Sequence, residues 1–150
     1  MSTLAFAVTK SGVSIVQTTE RKNGFQVIYQ LRLVAVPNDW VSLVKSIESV
    51  IQSRHKAVPI NRYVIVKAGA GLYAASPDTY KAEGFVEFVL GTLGKPMSQI
   101  SKQSLSKALG CAKKQKWQDA AEAMFNGQKQ FKGFSQGFDA ACAGAWSVAT

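Results

Sequence analysis

Residues 3–36, TLAFAVTKSGVSIVQTTERKNGFQVIYQLRLVAV, hold three runs rich in apolar and β-branched residues, separated by two turn signals. Thr3–Thr9 contains no breaker, and Lys10-Ser11-Gly12 follows it as a turn. Val13–Thr18 alternates apolar and polar residues, the period of a half-buried strand. The polar stretch from Glu20 closes on Asn23-Gly24, a pair suited to the left-handed backbone of a tight hairpin. Phe25–Val36 is a long third strand. Strict alternation sets Phe25, Val27, Tyr29, Leu31 and Leu33 on one face and Gln26, Gln30 and Arg32 on the other. The expectation is a three-stranded antiparallel meander.

Beyond this stretch the apolar period changes to that of helices. Pro37-Asn38-Asp39 stops the chain and caps a helix, with Asp39 or Asn38 as N-cap. Trp40, Leu43, Val44, Ile47, Val50 and Ile51 form its apolar face. Ser53-Arg54-His55-Lys56 closes it with positive charge at the negative end of the helix dipole, and Pro59 confirms the break. Arg62–Ala68 (RYVIVKA) is a short strand buried on both faces, as in a partly parallel sheet. Gly69–Gly71 begins a loop. Ser76 caps a second helix with Pro77 at its first position; Tyr80, Phe88, Val89 and Leu93 lie along it, and Gly94-Lys95-Pro96 ends it. Met97–Ile100 is a fifth strand. Three helices complete the chain: Lys102–Leu109, stopped by Gly110; Lys116–Phe125, ended by Asn126-Gly127; and, after the polar connection Gln128–Gly137, the alanine-rich Phe138–Val148. The order β-β-β-α-β-α-β-α-α-α defines an α/β domain spanning 1–150, a five-stranded mixed sheet flanked by helices.

Composition narrows the functional classes. The chain has 150 residues, 47% of them hydrophobic and 18% charged, which excludes an intrinsically disordered chain. No apolar run approaches the ~20 residues of a membrane span. Met1–Val8 lacks the basic and apolar regions of a secretory signal. Cys111 and Cys142 make no disulfide framework, and the single histidine, His55, cannot anchor a common zinc site. Gly69-Ala70-Gly71 has no Walker lysine. A cytoplasmic protein without cofactor is the expectation.

Charge points to a polyanionic partner. There are 18 Lys+Arg against 9 Asp+Glu, a formal net charge of +9. Six of those nine net charges fall between Lys95 and Lys132, where Lys95, Lys102, Lys107, Lys113, Lys114, Lys116, Lys129 and Lys132 face only Asp119 and Glu122. Such a segment favours nucleic acid, DNA or RNA. All four arginines lie in the first half. Lysine binds phosphate as a point charge, whereas bidentate base reading uses arginine, so binding is expected to tolerate sequence.

Four stretches, in order, resemble the RuvC-type resolvase branch of the ribonuclease H-like superfamily. LAFAVTKSGVSIVQ (4–17) resembles its first hairpin, RYVIVKAG (62–69) its fourth strand, GKPMSQISKQSLSKALG (94–110) its fifth strand and following helix, and FDAACAGAW (138–146) its closing helix. The resemblance implies phosphodiester hydrolysis by carboxylates around two divalent cations. It places one acid in the middle of the first strand, one at the end of the fourth, and others on the last helix. Here the first position falls on Val8, and no acid precedes Glu20. The fourth-strand position falls on Lys67. Only Asp139 matches, with Cys142 and Gly144 standing where a second helical acid would be. One carboxylate cannot hold two hydrated magnesium ions. The resemblance therefore implies the fold with its metal site lost.

Each candidate has an ordinary structural role beside the functional one. Asp139, the weak catalytic candidate, stands where a carboxylate caps a helix. Lys67 is either an edge lysine reaching solvent or a phosphate contact. His55 is a residue at a helix end, and both cysteines are core or near-core. Trp40 and Trp146 belong to apolar faces. Trp117, among Lys113, Lys114 and Lys116, either stacks a base or packs at the start of its helix, the favoured role. The leading expectation is an inactive domain that binds nucleic acid through Lys102, Lys107, Lys113, Lys114, Lys116 and Trp117. The alternatives are a protein-interaction or self-assembling scaffold with no nucleic-acid role, and a nuclease with relocated acids Asp78, Glu83 and Asp139.

Overall fold

β1 (Ser2–Thr9), β2 (Gly12–Arg21) and β3 (Gly24–Val34) form the antiparallel meander. The structure is a computed structural model; it describes residues 1–9, 12–21, 24–36, 38–68, 76–126 and 137–149, with no side-chain description at 21. The turn residues Lys10, Ser11 and Asn23, the Gly69–Gly71 loop, nearly all of the Gln128–Gly137 connection, and Lys129 and Lys132 lie outside the described residues.

α1 (Trp40–Ala57) starts at Asp39, whose side chain accepts the Ser42 N–H at 3.2 Å. It leads to β4 (Arg62–Val66), which ends two residues before Ala68. α2 (Pro77–Thr92) is capped by Ser76 as its sequence predicts. β5 (Met97–Ile100), α3 (Lys102–Ala108), α4 (Trp117–Phe125) and α5 (Phe138–Ala149) follow. The sheet order is β3-β2-β1-β4-β5, with β4 parallel to β1 and β5 parallel to β4. A hairpin set followed by crossover helices produces this arrangement, since parallel neighbours need a crossover connection.

Two cores sandwich the sheet. Leu4, Phe6, Val8, Val13 and Ile15 face α1 and α2, meeting Ile47, Ile51, Val86 and Leu90. Ala5, Ala7, Val16, Val64 and Val66 face the opposite way, meeting Ala141, Cys142 and Ala145 of α5 and Leu105, Ala121 and Phe125 of α3 and α4. Small residues on both β1 and α5 let the last helix approach the sheet closely. No described helix is long and apolar enough to cross a membrane.

The single apolar face expected for the third strand is not found. Gln17 pairs with Tyr29 but Thr18 pairs with Val27, so Ile28 is an extra residue and the ladder carries a bulge. A bulge of one residue reverses the side-chain alternation. Tyr29, Leu31 and Leu33 pack on the α1–α2 side, whereas Phe25 and Val27 join the α5 side. There Phe25 meets Phe125 and Trp146 at centroid distances of 5.5 and 5.3 Å. Arg32 keeps the face opposite Leu31 and Leu33, and the bulge brings Phe25 and Val27 to that same side.

Candidate functional site

Strand pairing aligns Arg32, Ser14, Ala7, Val66 and Ile100 in one row across all five strands. The row lies under α5. A Cβ added to Gly144 would stand 2.6 Å from Val66 Cγ2 and 3.8 Å from Ile100 Cγ2; one added to Gly137 would stand 2.7 Å from Thr9 Cγ2 and 3.4 Å from Ser14 Oγ. The helix therefore begins over the end of the β1–β2 hairpin and runs down the sheet to the start of β4, where Arg62 donates to the Val148 carbonyl. Carboxylates of the first and fourth strands could converge with those of the last helix only on this face.

Two positions singled out from the sequence, Val8 and Lys67, do not face α5. Val8 is 2% exposed and belongs to the core on the α1–α2 side, away from α5. The β1 residues on the α5 side are Ala5, Ala7 and, at the end of the strand, Thr9. Likewise Lys67 lies just past β4 and turns toward α2. Its Nζ is 3.5 Å from Glu83 Oε1 and 3.9 Å from Glu87 Oε1, and Glu83 also accepts the Ala68 N–H at 2.9 Å. The β4 residues facing α5 are Val64 and Val66, both buried. A one-residue slip exchanges the two faces of a strand. The residues that face α5 there, Ala7, Thr9 and Val66, carry no carboxylate.

Asp139 sits in the first turn of α5, and its Oδ1 accepts the Ala140 N–H at 2.7 Å, as a helix-start acid does. Burial pushes its carboxyl above the ordinary aspartate range; the Ala140 N–H and the nearby Lys102 charge pull the other way. Cys142, one turn on, is fully buried, and burial raises its thiol far above the ordinary range, so it stays protonated and unreactive.

The opposite end of the row carries a cation. Arg32 donates from Nη1 to Ser14 Oγ at 2.9 Å and from Nη2 to Thr9 Oγ1 at 2.7 Å. Its guanidinium thus reaches back from β3 over β2 to β1, beside the start of α5. Burial lowers its pKa from the ordinary value. Its signal in the sequence is an arginine inside the apolar run LRLVAV, on the face opposite Leu31 and Leu33; the bulge hid that this is the α5 face.

The lysine candidates occupy the same side of the molecule as α5. Lys102 is half-buried near Asp139. Lys107 lines a cleft of about 420 Å³ with Ser98, Ser104 and Ser147 beside β5. Lys113, Lys114 and Lys116 are exposed on the connection between α3 and α4. Trp117 is half-buried and packs on the α5-side core, in keeping with the packing role. His55 is also engaged, its Nδ1 accepting the Ile60 N–H at 3.0 Å. The relocated acids are not brought together. Asp78 is exposed in the first turn of α2, Glu83 is tied to Lys67 and Ala68, and no three His, Cys, Asp or Glu side chains cluster among the described residues.

These features define a class by fold: a ribonuclease H-like sheet and helix arrangement similar to that of RuvC resolvases. Thermus thermophilus RuvC superimposes with a TM-score of 0.76 at 13% identity, over 99% of this chain and 93% of that one. The structure of T. thermophilus RuvC in complex with Holliday junction substrate gives 0.73 at 10% identity, over 99% and 92%. The yeast mitochondrial Holliday junction resolvase gives 0.60 at 12% identity, over 98% and 75%. No protein-family model matches the chain. No curated protein matches it in sequence. The two-cation site that this fold implies does not fit the residues present: Ala7, Thr9 and Val66 offer no carboxylate, the α5 helix packs on Val66, and Arg32 places a positive charge beside the start of α5.

Proposed function

We propose that the chain is a catalytically silent ribonuclease H-like domain that binds nucleic acid without reading its sequence. The observation that carries this reading is the charge exchange on the α5 face. Alanine and valine stand where metal-binding acids would converge, Arg32 lies at the end of the same row, and the lysine-bearing segment Lys102–Lys116 packs over that face. Metal-assisted hydrolysis needs anionic ligands; phosphate binding alone needs cations and hydroxyls. The fold adds support, because T. thermophilus RuvC, similar to this chain in fold, has been captured with a Holliday junction substrate.

The test is a titration of the full chain against a labelled four-way DNA junction, a duplex and a single strand, in EDTA at two salt concentrations. Binding without divalent cations, weaker at higher salt and similar between sequences, is the expected result. Addition of magnesium or manganese is expected to produce no cleavage. A metal-dependent cleavage abolished by Asp139→Asn would overturn the catalytic part of the proposal. Absence of binding to every probe at low salt would overturn the nucleic-acid part. A scaffold role then takes precedence, supported by the exposed Val34, Val36 and Val41 at the junction of β3 and α1, which are 68%, 57% and 65% exposed; a second copy of the chain is one partner to test there.

A further inference from the structure

We propose that the turn at residues 112–115, between α3 and α4, is a preformed phosphodiester contact, and that Lys114 keeps a left-handed backbone conformation in its service. The proposal deepens the nucleic-acid reading and rests on it for the ligand, the backbone of a nucleic-acid strand.

The connection between the two helices holds two residues at positive φ, Gly110 and Lys114, and only one of them is a glycine. α3 closes on Gly110 at φ 67°, with the Gly110 N–H donating to the Lys107 carbonyl at 3.1 Å and the Cys111 N–H to the Ser106 carbonyl at 2.9 Å. These are the paired bonds of a Schellman cap, which favours glycine at that position. Lys114 has φ 75°. It is the third residue of a β-turn closed by the Gln115 N–H on the Ala112 carbonyl at 2.9 Å. The Gln115 side chain closes the same turn again, its Oε1 accepting the Ala112 N–H at 3.1 Å. A positive φ at the third position calls for glycine or asparagine, because a Cβ there crowds the backbone. The other non-glycine residue at positive φ among the described residues is Asn38, of a type that tolerates this region. Lys114 is exposed, and its side chain makes no hydrogen bond or ion pair among the described residues. Nothing inside the chain offsets its strain, which points to a contact outside it.

What the turn presents is positive charge. Lys113 and Lys116 are exposed beside Lys114, and the nearest acid along the chain, Asp119, follows only in the first turn of α4. The turn is held at both ends. Leu105 of α3 is fully buried before it, and Trp117 packs on the α5-side core after it. A doubly closed turn between two docked helices loses little freedom when a ligand binds, so less of the binding energy is spent on ordering it. Lysine meets phosphate as a point charge and asks for no base identity, which suits the backbone of a strand rather than a base edge.

The experiment measures stability and affinity in the same variants of the full chain. Unfolding is followed by circular dichroism, and binding in EDTA by titration against a labelled duplex, an oligothymidine and poly-glutamate. Lys114→Gly relieves the backbone and removes the charge. It is expected to unfold about 2–4 °C above the parent, yet to bind duplex about tenfold more weakly at 0.1 M salt, the loss of one phosphate contact. Lys45→Ala removes an exposed lysine from α1, on the other side of the sheet, and should leave affinity nearly unchanged. Gln115→Ala keeps every lysine but opens one closure of the turn, and should weaken binding about threefold. A Lys114→Gly variant no more stable than the parent overturns the claim that Lys114 is kept against strain. Gln115→Ala binding as tightly as the parent overturns the claim that the turn is preformed. DNA affinity that Lys114→Gly changes no more than Lys45→Ala does overturns the contact and leaves the nucleic-acid reading in place. Poly-glutamate binding that needs Lys114, without binding of either DNA probe, keeps the turn as an anion contact and overturns the nucleic-acid reading. No binding of any probe at low salt overturns both.

Discussion

At the scale of single residues, Gly144 is the most constrained position under α5. A methyl group there would stand 2.6 Å from Val66 Cγ2, and valine has few rotamers in which to retreat. Gly144→Ala is expected to lower stability by about 1–3 kcal/mol, the usual range for overpacking. Adding Val66→Ala should recover part of the loss, because it removes the opposing methyl groups. Paired denaturant melts check this, and equal stability of Gly144→Ala and parent would show that the helix can shift. Asp139 gives a prediction in pH. Burial raises its native pKa above the unfolded value, more than the Ala140 N–H and Lys102 lower it. Folding therefore takes up a proton between those two values, so stability falls as pH rises through that window. Asp139→Asn retains an oxygen for the Ala140 N–H and lacks this fall. Its stability relative to the parent should increase with pH across the window and then level off, as unfolding midpoints measured from acid to neutral pH will reveal.

Among the elements, the hairpin signals and helix caps were legible in sequence because they depend on local backbone chemistry. Asp39 and Ser76 cap α1 and α2 as their residue types dictate. The face taken by each strand residue was less legible. Nothing local in FQVIYQ marks Ile28 as an extra residue; the bulge is set by how β3 pairs with β2 while its two halves serve opposite cores. The same limit explains Val8 and Lys67, since the first and fourth strands are apolar on both faces and their alternation leaves the register undetermined. Trp117 offers an element-scale prediction. It packs on the core shared by α3, α4 and α5. Trp117→Ala should cost about 1–3 kcal/mol, below the 3–5 kcal/mol of a fully buried aromatic, and leave single-strand affinity nearly unchanged. A loss of affinity without a loss of stability would assign the ring to base stacking instead. Cys142 reports on α5 in turn. It is fully buried and its raised pKa keeps it a thiol, whereas Cys111 is partly exposed. A thiol reagent should modify Cys111 in the native protein and Cys142 only at the rate at which α5 leaves the sheet. Equal labelling rates would mean that the helix is not docked as described.

For the whole molecule, the decisive quantity is how affinity depends on salt. The net charge of +9 acts at a distance and speeds encounter with any polyanion, but it does not distinguish a binding face from a solubilising surface. Direct phosphate contacts do, because each one releases condensed counterions from the strand. If Lys107, Lys113, Lys114 and Lys116 all contact phosphate, log affinity for duplex DNA should fall against log salt with a slope near −3.6, about −0.9 for each contact. Replacing Lys113, Lys114 and Lys116 should reduce the slope to near −0.9, and Lys107→Ala alone should take it to about −2.7. The increments are the informative part: a cation that only contributes to the general field changes affinity without removing a full step of slope. Slopes that stay near −3.6 in both variants, with the fold intact by circular dichroism, would mean that other cations make the contacts and that the face beneath α5 is not where the strand lies.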